Sequence, residues 1–317
     1  MTNEIAKELY EETLGNLITE ELSVSDEVIK ATDKIWEEIK RDIILYKERH
    51  SNSIPENRIT RHDFYTTIFG FDVRITWNYI STKSEEEARS LCFNDISTGI
   101  EQLGFRYISI PIYAVNHEII EYLTLENLQH EISHVWEEFK YPSEVKKTTY
   151  EYGVWLINNA KTKAVKAIGC IIYLSKDWEI RAFINGSYSY LMKFVNITNK
   201  FDVFDNVDDT TIVHALVDVR NALSDLKRLG PDFGGDKDAI KVMQTLRKKY
   251  GIKDFDTLIK IGENTQEKLS RGLRRVITKV LNDIGKKPVF KVTHTMIRER
   301  YYDGKEKFTL KRPDRKD

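Results

Sequence analysis

The hydrophobic positions of this chain change period several times along its length. Up to about His50 they recur at helical spacing. Val28, Ile35, Ile39 and Ile43 form one stripe, and Ser25 stands as an N-cap before Asp26 and Glu27. Two helices are predicted over this segment, followed by a loop from Asn52 to Pro55. The period then drops to two. Phe71, Val73, Ile75, Trp77 and Tyr79 alternate with Asp72, Arg74, Thr76 and Asn78, the pattern of a half-buried strand. Phe64 to Phe69 is a second β-rich run, joined to the first at Gly70. Phe105 to Ala114 is a third, with Arg106, Ile108, Ile110 and Ile112 facing one way. Pro111 lies inside that run and cannot donate to a ladder, which predicts a strand at a sheet edge.

From Glu118 to about Leu229 the helical period returns. Leu125, Leu128, Ile132, Val135, Trp136 and Phe139 form a stripe that ends at Tyr141-Pro142. Further helices are predicted from about Ser143 to Asn158, Lys161 to Leu174, Trp178 to Val195 and Asp209 to Leu229. Gly230-Pro231-Asp232-Phe233-Gly234-Gly235 is the clearest linker signal in the chain. Beyond it come two or three basic helices, ending near Gly285. A hairpin is predicted last, Phe290 to Arg300 with Lys307 to Lys311, turning at Asp303-Gly304. The implied organisation is an N-terminal helical segment over 1–55, an α+β domain over 56–230, and a basic helical region over 236–317.

Composition narrows the function classes. The 317 residues are 41% hydrophobic, enough for one large core or two modest ones. Lys+Arg number 49 against 50 Asp+Glu, so net charge makes no whole-protein case for nucleic-acid or membrane binding. The balance conceals a gradient from a Glu-rich start to a Lys/Arg-rich end. Solvated helix faces account for it; the sharper alternative is a basic surface for nucleic acid or a virion partner. Arg271, Arg274, Arg275 and Lys279 beside Leu273, Ile277 and Leu281 have the spacing of an ordinary amphipathic helix. The two cysteines, Cys92 and Cys170, sit in apolar runs and read as small buried hydrophobes, with no disulfide framework. Met1 to Ile5 lacks the features of a signal peptide, and no apolar run approaches the ~18 residues of a membrane span. A cytoplasmic protein, or one carried by a virion assembled inside a cell, is expected.

The sharpest chemistry lies in His130-Glu131-Ile132-Ser133-His134. A helix places residues i and i+4 one turn apart on one face, so His130 and His134 can present two imidazoles to one zinc ion. Glu131 follows the first His and can reach a water on that metal as general base. Composition alone yields such a string on the order of once in a hundred chains of this kind. The plainer alternative is two histidines sharing a half-buried helix face. A catalytic zinc takes three protein ligands and a water. The metzincin extension would need Gly and His where Glu137 and Lys140 stand, which excludes it. Glu179 is the best third ligand. Asp177 is a plausible N-cap before it, and Ala182 is a small residue one turn on that would let two helices approach. Glu151 competes, being closer in sequence to His134, but lacks such a small residue. Glu137 and Glu138 read as solvated residues at the helix end.

HEISH followed by E-x-x-A on a second helix resembles the gluzincin-like branch of the zincin metallopeptidases. It looks most like small zinc peptidases encoded in bacterial and bacteriophage genomes. The resemblance covers roughly residues 60–200. It implies His130, His134 and Glu179 as zinc ligands, Glu131 as catalytic base, and a peptide or protein substrate. It also implies a zincin-like core, a small antiparallel or mixed sheet whose edge strand aligns substrate beside the motif helix, with a helical C-terminal region added. The chain departs from thermolysin-type enzymes in lacking N-E-x-x-S-D at the usual spacing. An oxyanion donor is also needed; Tyr188, Tyr190, Arg181 and His214 are within reach in sequence, while His214, which could also be a fourth metal-site residue, reads first as a satisfied core histidine. His62 and His117 read as surface or capping residues.

Overall fold

The elements fall largely where the two periods place them, in a computed structural model that describes residues 24–49, 60–91, 97–100, 106–115, 118–141, 148–198 and 207–286. In chain order they are α1 (Asp26–Arg49), β1 (Thr60–Ile68), β2 (Phe71–Thr82), α2 (Glu85–Leu91), β3 (Ser97–Ile100), β4 (Arg106–Val115) and β5 (Glu118–Ile119). Seven longer helices follow: α3 (Glu121–Lys140), α4 (Thr148–Asn159), α5 (Lys163–Leu174), α6 (Asp177–Thr198), α7 (Thr211–Leu229), α8 (Lys237–Tyr250) and α9 (Phe255–Asp283). The class is α+β, a small mixed sheet beside a larger set of helices. No described helix is long and apolar enough to cross a membrane. The first predicted helix up to residue 23, the C-terminal hairpin, Cys92 and His117 lie outside the described residues.

β1 and β2 pair antiparallel from Thr60↔Tyr79 to Ile68↔Phe71. Phe69 and Gly70 between them both have positive φ, 50° and 81°, the two-residue turn whose twist suits a hairpin. β2 pairs in parallel with β4, from Val73↔Arg106 to Thr82↔Val115. On its other side β4 pairs antiparallel with β3 over Arg106–Ser109 and with β5 over Ala114–Val115. β4 is therefore an interior strand, and the expectation that Pro111 puts it at an edge is corrected. The proline is tolerated because it falls between the two partners. Among the described residues, no strand on that side requires an N–H from it.

Strand register explains the first core. Val73, Ile75, Trp77 and Tyr79 of β2 share a face with Ile108, Ile110 and Ile112 of β4, and all are buried. Two helices join them there. α1 contributes Val28, Ile35, Ile39 and Ile43, and α3 contributes Leu125, Leu128, Ile132, Val135 and Trp136. Ser25 caps α1 as expected, its Oγ accepting from the Val28 N–H at 3.4 Å. Phe139, expected to extend the α3 stripe, is 53% exposed instead. It stacks beside Phe69 and meets Phe71 edge-on at the β1–β2 turn, the rim of the sheet.

A second core lies among the helices. Buried residues of α5, α6, α7 and α9 form one cluster, joined by Tyr122 and Leu123 from the start of α3. α3 thus has the sheet on one side and α6 on the other. α9 buries Leu269, Leu273, Ile277 and Leu281 in this cluster, as its amphipathic spacing predicts. Two of its cations are paired across helices, Lys268 with Asp177 at 2.7 Å and Lys279 with Asp26 at 3.3 Å. The glycine-rich segment after α7 is a packed turn. Gly230, Gly234 and Gly235 have positive φ, and Phe233 is buried against Phe255.

Candidate metal centre

The site is set by how closely α3 and α6 approach. A Cβ added at Gly186 would lie 2.7 Å from the Glu126 carbonyl oxygen and 3.3 Å from the His130 Cβ. Only glycine allows that separation. The sequence pointed to Ala182 as the small residue; it is fully buried, but Gly186, one turn further along α6, sits at the close contact. Gly186→Ala is therefore expected to push the helices apart, destabilising the protein by about 1–3 kcal/mol. A lowered urea midpoint would register this, and an unchanged midpoint would refute the close-approach role.

Side chains fix the register of the pair. Arg181 donates a two-pronged hydrogen bond to Glu137, Nε to Oε1 at 2.5 Å and an Nη to Oε2 at 2.6 Å, with both residues buried. The Arg181 guanidinium also lies over the Tyr141 ring. Glu137 was expected to be solvated and is not. It shares the α6-facing side of α3 with Ser133 and Glu126, a consequence of the 3.6-residue turn. Glu138, one residue on, pairs with Arg106 at 2.6 Å at the sheet margin. Asp177 was expected to cap α6. The first helical bond instead runs from the Ile180 N–H to the Lys176 carbonyl, so Lys176 is the cap residue and Asp177 lies in the first turn, paired with Lys268.

Glu179 follows in that first turn, 1% exposed, directly against the two histidines. His130 Nε2 and His134 Nε2 are 3.2 Å apart. His130 Nε2 lies 3.7 Å from Glu179 Oε2, and His134 Nε2 lies 3.6 Å from Glu179 Oε1. Two atoms each ~2.0–2.1 Å from a tetrahedral ion stand about 3.3 Å apart. The three side chains are thus already spaced to hold a metal ion. Two imidazoles and one carboxylate suit zinc and neighbouring transition metals better than magnesium or calcium, which prefer all-oxygen sites.

Electrostatics favour the ligand form of both rings. Burial holds the His130 pKa well below its ordinary value, and the charge of protonated His134 would lower it further. Burial lowers His134 as well, partly offset by the negative charges of Glu131 and Glu137. Neutral imidazole is the form that binds a metal. His130 Nδ1 has no hydrogen-bond partner among the described residues, so the ring is oriented by packing, with Phe183 4.8 Å away between centroids. Glu179 Oε2 accepts a hydrogen bond from Tyr173 Oη at 3.1 Å.

Of the three, His130 lines a cleft of about 720 Å³, and so does Tyr173, which donates to Glu179. The near wall of the cleft holds Asn127, His130 and Glu131 of α3, and its long walls are α5 from Lys163 to Leu174 and α7 from Thr211 to Asp225. Among the described residues no strand lines it. That corrects the expectation of a substrate-aligning strand: α3 turns its sheet-facing stripe away from the face that carries the histidines. The start of α7 is tied to the site by Glu126, which accepts from the Thr211 N–H at 2.6 Å, and by Ser187, which accepts from the Ile212 N–H at 3.0 Å. This anchoring brings His214, one turn further on, into the cleft wall.

The other residues weighed from sequence separate clearly. Glu151 is exposed on α4 and does not join the histidines. Tyr188 donates to Asp283 at 2.7 Å beside α9, and Tyr190 is buried among Tyr122 and Phe194. His62 is more than a surface residue, since it stacks on Trp77 with ring centroids 4.5 Å apart. Cys170 is half-buried in the cleft wall, and burial pushes its thiol up to about 12, leaving it inert as a nucleophile. Tyr173 was not picked out from sequence. Its partner is only six residues on, but belongs to the next helix, and the contact depends on how the chain bends between α5 and α6.

No protein-family model, curated protein or solved structure matches this chain.

Proposed function

We propose that the chain is a zinc-dependent metallopeptidase of zincin-like design, hydrolysing an amide bond in an extended peptide segment. The observation that carries this reading is the convergence of His130, His134 and Glu179 at spacings suited to a tetrahedral ion, beside a cleft lined by His130 and Glu131. A purely structural zinc site is closed by four protein ligands, whereas three ligands, one of them on the wall of a cleft, leave a position for water. Zinc held there would supply an activated water and a Lewis acid for the amide carbonyl.

The protein's own residues would do the rest. Around α3, at about 100° per residue, His130 and His134 lie between the α6-facing side and Glu131. Glu131 is therefore on the cleft side of the ligand pair, placed to take a proton from water and pass it to the leaving amine. Of the four candidate oxyanion donors, Arg181 is committed to Glu137, Tyr188 to Asp283, and Tyr190 to the core; His214 lines the cleft and takes the role in this reading. The cleft follows the 12 residues of α5, roughly 17 Å at 1.5 Å per residue, which fits about five residues of extended chain.

Elemental analysis of the purified wild type beside His134→Ala and Glu179→Ala tests the metal. Wild type should carry zinc and both variants should lose it. A wild type that takes up no zinc sinks the enzyme reading. Zinc retained in Glu179→Ala sinks only the third-ligand assignment.

A further inference from the structure

Glu179 is the only candidate ligand with two equivalent donor atoms, and the structure treats those atoms differently. Each oxygen faces one histidine, Oε2 at 3.7 Å from His130 Nε2 and Oε1 at 3.6 Å from His134 Nε2, and Oε2 also accepts the Tyr173 hydroxyl at 3.1 Å. Tyr173 itself is firmly seated. It lies in the last turn of α5, where α4 packs so closely that a Cβ on Gly153 would come within 2.9 Å of the Tyr173 backbone nitrogen. A Cβ on Gly169, one turn earlier, would meet Leu156 Cβ at 2.8 Å. The phenol therefore comes to Glu179 from a backbone that has no room to drift, and its ring also forms part of the cleft wall.

We propose that Tyr173 is a positioning residue that sets how Glu179 binds the metal: its hydroxyl holds Oε2, leaving Oε1 as the single ligand atom. The inference rests on the metal reading above. A carboxylate binding through both oxygens would fill the coordination position that a catalytic zinc must keep for water and substrate. Ligating carboxylates are in turn oriented by hydrogen bonds from surrounding residues, and the loss of such a bond typically costs 10–100-fold in metal affinity or activity. Tyr173 acts through Glu179 and need not touch the substrate.

Cobalt(II) tests this on the full chain, because its visible absorption is intense when four-coordinate and weak at higher coordination number. Wild type and Tyr173→Phe are each titrated with cobalt(II) alone. The variant loses one oxygen and keeps the ring that packs in the cleft wall, and circular dichroism verifies its fold. The expected result is an intense spectrum for wild type, with a severalfold weaker one for Tyr173→Phe and cobalt affinity lower by about 10–100-fold. A variant spectrum identical to wild type overturns the proposal, whatever happens to the affinity, since a merely structural tyrosine would leave coordination unchanged. A wild type that takes up no cobalt overturns the metal site itself, which distinguishes the two failures.

Discussion

Replacing Arg181 with Met is expected to destabilise the protein by about 3–5 kcal/mol, the usual result of removing one partner from a buried ion pair. The size follows from what is left behind. Glu137 is 2% exposed, and its two oxygens receive the two prongs of the guanidinium at 2.5 and 2.6 Å. Without Arg181, the carboxylate keeps the desolvation cost and loses the charge that offset it. Met retains much of the aliphatic volume, so the loss reports the charge more than a cavity. The double variant Arg181→Met with Glu137→Leu separates stability from register. Replacing both members of a buried pair with apolar residues is often neutral, so most of the lost stability should return. Metal affinity should not return with it, because the fork ties α6 to α3 two residues after Glu179 and three after His134. Urea unfolding measures the first quantity and metal titration the second. A single variant within about 1 kcal/mol of wild type would show that the pair is solvated enough to be dispensable.

What was legible in the sequence divides by the range of the interaction. The histidine pair, Glu131 and the α3 stripe are products of helix periodicity, which a linear chain displays directly. Glu179 was reachable because first-turn position and a nearby small residue are also local. The features that failed depend on partners far along the chain. Glu137 looks like one more charge at a helix end until Arg181, 44 residues away, meets it. Pro111 suggests an edge strand when only its missing N–H is considered; β3 and β5 flank that position without using it. Gly186 was the recoverable miss. Glu179, Ala182 and Gly186 recur every three to four residues, and small residues at that spacing mark the face along which two helices approach. The cleft was not legible, because its walls are faces of α5 and α7 whose apposition depends on the whole helical core.

Glu131→Gln carries the second large effect, on chemistry and not on stability. The amide has nearly the shape of the carboxylate and can still hydrogen-bond to water, but it cannot accept a proton from it. Glu131 is 6% exposed and lines the cleft, and its charge is felt at His134, so it is both close to the ligand pair and open to the substrate side. Loss of a positioned general base typically costs 10²–10⁴-fold in rate. Cleavage of a broad peptide library, read by mass spectrometry, should therefore fall by at least about 10²-fold in the variant. Zinc content should be unchanged, since Glu131 is not among the three converging ligands. That combination is what separates a catalytic centre from a scaffold that has merely kept a metal. Loss of zinc together with activity would make Glu131 a part of the binding site, and full activity with zinc in place would remove it from the mechanism.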